Sequence, residues 1–202
     1  NESECTKIEL TQTSANINGS GAAVENNKVT ITEAGTYVLS GTLTDGCIDV
    51  NVSGKGTVRL ILNGVNITSS TTAPFIVEDA KKVVVTLADG TTNTFTDSTR
   101  VAADDEDYSA AVYSKADLTF NGNGTLNINA GYRNGIKSTD DLKIVSGTYN
   151  ITSNEDGIVG KDLLAVKAGI FNITSGQDGM KSTYDKDDTK GNIIIDLSLI
   201  HI

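Results

Sequence analysis

Between residues 134 and 182 one phrase is written three times. Asn134-Gly135-Ile136-Lys137-Ser138 returns as Asp156-Gly157-Ile158-Val159-Gly160 and again as Asp178-Gly179-Met180-Lys181-Ser182. The glycines at 135, 157 and 179 are 22 residues apart, and the residues between them keep step. Leu142 maps onto Leu164, Ile144 onto Val166, Tyr149 onto Phe171 and Ile151 onto Ile173. Like residues one period apart are what a chain needs if each turn is to stack on the last. Within a copy the apolar residues alternate, as in Leu142/Ile144 and Tyr149/Ile151, which is the pattern of strands with one face inward. A helical repeat would place them at i, i+3 and i+4 instead. Short strands separated by Gly and Asp or Asn corners predict an all-β solenoid, a parallel β-helix of about 22–24 residues per coil.

The same rhythm orders the rest of the chain. Residues 1–46 read as an N-terminal β cap, with alternating segments at 7–10, 28–32 and 36–40, because a solenoid end exposes its core and must be covered. Coils are expected over 47–196. Segments 47–52, 57–62 and 65–68 form one turn, and 75–77, 83–87 and 93–96 the next, with Leu60 mapping 24 residues on to Val84. Asp117-Leu118-Thr119-Phe120 lies 24 residues ahead of Asp141-Leu142-Lys143-Ile144. An acidic loop at 97–109, carrying Asp104, Asp105 and Asp107, interrupts the coils. Residues 197–202 break the pattern and are read as a non-native tail on a fragment, the alternative being a short terminal strand. Cys5 and Cys47 match no metal motif, and either join the first segment to the first coil or are two buried thiols.

Charge and residue inventory exclude several functions. The formal net charge of −10 opposes binding to nucleic acid phosphates. No apolar run reaches the roughly 20 residues that span a bilayer. The single histidine, His201, lies in the suspect tail, so no Ser-His-Asp or Cys-His arrangement can be built on the coils. Lys181-Ser182 follows Met180, where a phosphate loop needs Gly, and Asp185-Lys186-Asp187-Asp188 lacks the glycine of an EF-hand. Asn150-Ile151-Thr152 and Asn172-Ile173-Thr174 match a glycosylation pattern but read better as outward Asn and Thr flanking an inward Ile.

Two sets of residues carry candidate chemistry. Asn134, Asp156 and Asp178 share one register position, and so do Asp140 and Asp162. Strands of neighbouring coils lie about 4.8 Å apart, where two bare carboxylates repel by roughly 3–4 kcal/mol at an effective dielectric of 20. A calcium ion on the column would explain their presence, since it accepts several hard oxygen ligands in loose geometry. Asp104, Asp105 and Asp107 are added as further candidate ligands; the alternative is a solvated acidic face. Lys137 and Lys181 recur two turns apart, and Tyr132-Arg133 precede the first copy. These four could hold a sugar carboxylate beside calcium, or a lysine with a lowered pKa could abstract a proton. They could equally be solvated corner residues.

The phrases at 36–46 (TYVLSGTLTDG), 60–70 (LILNGVNITSS) and 117–122 (DLTFNG), together with the three Asn/Asp-Gly-Ile/Met corners, resemble a bacterial family of exported carbohydrate-binding domain-containing proteins. The likeness covers roughly residues 6–196. It implies a right-handed parallel β-helix like that of pectate lyases, bound calcium, affinity for plant-type polysaccharides, and a place outside the cell or on its surface. Three readings follow: a non-catalytic polysaccharide-binding module, a calcium-dependent polysaccharide lyase, or a structural adhesion solenoid. A monomer is expected. With no Trp, and only Tyr108, Tyr132 and Tyr184 as rings outside the strands, cellulose binding should be weak and calcium-independent, whereas uronate binding should require calcium.

Overall fold

The computed structural model describes residues 5–53, 56–100, 108–187 and 189–196, and the backbone of 199–201. Every regular element among them is a β-strand. The strands form a 14-stranded and an 8-stranded sheet, paired in parallel except at the N-terminal end.

Each later turn contributes one strand to each of three parallel ladders. The first ladder holds Phe75–Asp79, Ala110–Ser114, Asn134–Ser138, Ile158–Gly160 and Met180–Lys181. In the second are Lys82–Leu87, Asp117–Gly122, Asp141–Ile144, Leu163–Val166 and Asn192–Ile195. The third has Thr92–Asp97, Thr125–Ala130, Thr148–Ser153, Ile170–Ser175 and Leu199–His201. The second and third ladders belong to one sheet because the long strand Thr57–Ser69 pairs with both, bending through Gly64 at a φ of 77°.

The register is the one that the repeat dictates. Leu142 lies opposite Leu164, Ile144 opposite Val166, Tyr149 opposite Phe171 and Ile151 opposite Ile173. Leu118 meets Leu142 as the 24-residue spacing predicts. Leu60 differs by one residue, pairing with Val85 while Arg59 pairs with Val84, because the earlier turn is one residue longer. Inward residues of all three ladders form one continuous core of Ile, Val, Leu and aromatic side chains. The Tyr149 and Phe171 rings stack 5.1 Å apart, and Phe120 meets Tyr149 edge-on at 6.0 Å. The repeated glycine has a steric cause. A Cβ on Gly135 would sit 2.5 Å from the Gly157 carbonyl oxygen, and one on Gly157 would sit 2.5 Å from that of Gly179.

At the N-terminal end Cys5–Gln12 pairs antiparallel with Ala15–Asn18, and Ala22–Glu25 with Lys28–Ile31. Parallel pairing already runs through Lys28–Ile31 and Gly35–Leu43, which join Cys47–Asn51 and Thr57–Ser69. At the other end the backbone of Leu199–His201 continues the third ladder beside Ile170–Asn172. Cys5 and Cys47 form no disulfide, and burial pushes the Cys47 thiol up to about 11, so it behaves as a small apolar side chain.

Outward residues fall into columns as strictly as inward ones. On the third ladder, Thr94, Asn127, Asn150 and Asn172 make one column, and Thr96, Asn129, Thr152 and Thr174 the next. Ile151 and Ile173 between them are buried, so both Asn-Ile-Thr triplets are outward pairs around an inward Ile.

Candidate functional site

The outer face of the first ladder carries one column from Asp49 through Ile76, Tyr113, Lys137 and Val159 to Lys181. Period-2 alternation puts it opposite the core residues Phe75, Val77, Val112, Ile136 and Ile158. Lys137 and Lys181 are therefore two turns apart in one register, with Val159 between them, as the spacing predicts. The Lys137 ammonium donates to Ser109 Oγ at 2.9 Å. Tyr108 leans on Tyr113, ring centroids 5.5 Å apart, and its hydroxyl donates to Glu78 at 3.1 Å. Lys115 pairs with the same Glu78 and lies 5.7 Å from the Tyr108 ring centroid. Tyr132 has two guanidinium groups near its ring, Arg100 at 4.2 Å and Arg133 at 5.4 Å from its centroid. Tyrosines and cations thus cluster where Tyr108 and Ser109 cross the face.

Arg100 anchors that crossing. Its side chain is 3% exposed, and that of its partner Asp97 is fully buried. Two bonds join them, Nε to Oδ1 at 2.9 Å and Nη2 to Oδ2 at 3.3 Å. The guanidinium also donates to the Tyr108 carbonyl. Burial pushes the Asp97 carboxyl up to about 6, against the downward pull of Arg100. Nothing in the repeat points to this pair, because Arg100 stands where the period is interrupted.

Asn134, Asp156 and Asp178 do align on successive turns, and their oxygens are engaged within the chain. Asn134 Nδ2 donates to the Ser109 carbonyl at 2.7 Å, and its Oδ1 accepts from the Asp156 N–H at 3.0 Å. Asp156 Oδ1 accepts in the same way from the Asp178 N–H at 3.0 Å. Each side chain thereby caps the backbone one turn on. Lys181 closes the column, 3.3 Å from Asp156 and 3.1 Å from Asp178. The hydrogen bonds that it donates to Asp178 and Asp156 raise the Lys181 pKa, so its ammonium is held protonated. A cation on this column would have to displace that lysine.

A group of three carboxylates lies at the corner between the first and second ladders. Asp117, Asp140 and Asp141 each offer an oxygen, and these atoms all lie within 4.8 Å of one another. The Asp140 carboxyl is raised above its ordinary value, first by burial and then by the charges of Asp117 and Asp162. Asp162 pairs with Lys190, whose ammonium lies over the Tyr184 ring at 5.0 Å, and Asp141 pairs with Lys143 at 2.8 Å. Sequence reasoning chose Asp140 and Asp162 but passed over Asp117 and Asp141. The signal was present, since Asp117 and Asp141 head equivalent strands 24 residues apart. Asp104, Asp105 and Asp107 lie outside the described residues.

These features belong to an all-β protein of stacked parallel strands with a tyrosine- and lysine-bearing outer face and a carboxylate corner. The chain belongs to the carbohydrate-binding domain-containing protein family, which matches residues 25–202. A protein of that description from Acetivibrio thermocellus is 41% identical over 138 residues, 67% of this chain and 48% of its own length. The chain therefore spans about half of that curated relative. Among solved structures, the polysaccharide lyase-like protein from C. thermocellum, in a gadolinium derivative, superposes with a TM-score of 0.92 at 35% identity. That match covers 96% of this chain and 80% of the other. No helix among the described residues is long and apolar enough to cross a membrane.

Proposed function

We propose that this chain is an exported, monomeric, non-catalytic polysaccharide-binding module, wound as a right-handed parallel β-helix, that holds acidic plant-type polysaccharide with the help of calcium. One observation carries the reading. The tyrosines and cations gathered around Tyr108, Tyr113, Lys115 and Lys137 occupy the same outer face, beside the corner carboxylates Asp117, Asp140 and Asp141. Lysine and arginine supply donors for a uronate carboxylate, and tyrosine rings supply flat apolar area with a polar tip. Calcium fits the corner better than the Asn134/Asp156/Asp178 column. At the corner three carboxylates converge rather than two, although Lys143 binds Asp141 at 2.8 Å and feels the charges of Asp117 and Asp140 as well. Hard oxygen donors of this kind suit calcium, which would bridge protein and polymer carboxylates. Proton abstraction is disfavoured, since a lysine base needs a lowered pKa and that of Lys181 is raised.

The metal has its own test. The folded Asp140 carboxyl titrates above its unfolded value, so the stability tied to its proton is present at acid pH and is lost as pH rises through the folded pKa. In chelator at pH 7, Asp140→Asn should therefore slightly raise the melting temperature, because asparagine keeps the acceptor used by the Asp141 N–H. That gain should shrink as pH falls through the folded pKa and disappear only below the unfolded aspartate value of roughly 3.9. In calcium at 100 times its dissociation constant, the wild type should gain about 2.7 kcal/mol, and Asp140→Asn most of a kcal/mol less or worse. A wild-type melting curve indifferent to calcium and chelator would remove the ion from the account.

Binding is tested by pull-down on insoluble polygalacturonate over a calcium titration. Retention should rise with calcium and disappear in chelator. Lys137→Ala should weaken it about tenfold, equivalent to about 1.4 kcal/mol. Undiminished retention in excess chelator would overturn the calcium-bridged reading.

A further inference from the structure

One buried ionisable pair is linked by hydrogen bonds to the tyrosine- and lysine-bearing face. The Arg100 guanidinium holds Asp97 through two bonds and the Tyr108 carbonyl through a third. From Tyr108 and Ser109 the contacts run into the face itself. The Tyr108 hydroxyl donates to Glu78 and its ring packs on Tyr113. Ser109 Oγ accepts from the Lys137 ammonium at 2.9 Å, and its carbonyl accepts from the Asn134 amide at 2.7 Å. Asp97 thus reaches Lys137 through hydrogen bonds and the single covalent step from Tyr108 to Ser109. Hydrophobic side chains of similar volume often hold such a place as well as a buried ion pair does, or better. What the ion pair adds is dependence on a proton.

We propose that Asp97 is an acid switch for this face: when its carboxylate takes up a proton it loses its hold on Arg100, Tyr108 and Ser109 shift, and acidic polysaccharide is released. The inference rests on the binding face proposed above and adds its regulation. The strand partners of Asp97 are Ser69 and Ala130, neither of which ionises in this range. Asp45, near Ser69, is exposed and bonded to Ser70. Tyr132 lies against Arg100, with Arg133 near the same ring. Arg100 is therefore the charge that acts on the carboxyl among the described residues. Burial pushes Asp97 up to about 6, and Arg100 pulls against that rise. Coupling of this kind is reciprocal: Arg100 disfavours the proton, so the proton disfavours the contact with Arg100. The polymer's free carboxyls stay ionised where Asp97 titrates, so acid acts on the protein rather than on its ligand.

Retention on polygalacturonate at saturating calcium, compared at pH 7.5 and pH 5, tests this. The wild type should bind about tenfold more weakly at the lower pH, within the usual range of coupling between two sites. Asp97→Asn leaves Arg100 facing a permanently uncharged side chain, so it should bind weakly at both pH values and lack that step. Any pH dependence of the corner carboxylates is common to both proteins and cancels in the comparison. A second readout needs the wild type alone. Followed by carbon NMR, Asp97 should take up its proton at a lower pH with calcium and oligogalacturonate bound than without, by the interval equivalent to the change in affinity. An Asp97 titration unmoved by the bound oligomer, or a folded Asp97→Asn variant with the full wild-type step, would overturn this inference alone. Absence of wild-type retention at both pH values would overturn the binding reading, and the switch with it.

Discussion

Arg100→Met should destabilise the protein by about 3–5 kcal/mol at pH 8, the cost of leaving one member of a buried ion pair without its partner. Methionine keeps the aliphatic stem but removes both bonds to Asp97, the bond to the Tyr108 carbonyl and the stack on Tyr132. The penalty should depend on pH in a defined direction. Asp97 already titrates at about 6 because it is buried, well above the roughly 3.9 of an unfolded aspartate. For a raised carboxyl, the stability tied to protonation is complete below the unfolded value and is lost as pH rises through the folded one. Removing Arg100 removes the interactions that hold Asp97 down, so the variant should lose more stability than the wild type over that rise. Near pH 4.5 Asp97 is protonated in both proteins, and the penalty should shrink to the packing contribution. Urea melts at the two pH values measure the difference. A pH-independent penalty would mean that Asp97 does not titrate in this range.

Tyr149→Ala should cost a similar 3–5 kcal/mol, as expected for deleting a large buried aromatic side chain. Tyr149 is fully buried at the centre of the third ladder, stacked on Phe171 and edge-on to Phe120. The cavity would open between two turns of the stack, where the parallel backbone ladders limit collapse. Tyr149→Phe is the control. It preserves the stack, places at 149 the residue found one turn later at 171, and removes only the hydrogen bond to the Ser146 carbonyl at 2.8 Å. Its cost should be about 1 kcal/mol, measured by the same urea titration.

The fold was legible because stacking requires like residues to recur. Leu142 over Leu164 and Tyr149 over Phe171 could be paired from the sequence since the structure has no other way to bury them so continuously. The glycine of each corner was legible for a related reason, as the carbonyl of the next turn occupies the space of its Cβ. Spacing also placed Lys137 and Lys181 in one column. What spacing could not convey is how a polar side chain is used. Asn134 and Asp156 repeat because each accepts a hydrogen bond from the backbone N–H one turn on, a bond invisible until the turns are in contact. Arg100 was unreadable because it sits in an interruption, where periodicity carries no information. The Asp117/Asp140/Asp141 corner lay between these cases, being periodic in part but brought together by a bend between strands.

The central claim is that this outer face binds acidic polysaccharide without cleaving it. One sample decides the matter: the chain incubated with polygalacturonate at saturating calcium, with bound protein and the ultraviolet absorbance of unsaturated uronate product both followed over time. Stable, chelator-reversible binding with no accumulation of product is the predicted result. Sustained calcium-dependent product release, abolished by Lys137→Ala or Lys181→Ala, would contradict it and make the protein a lyase.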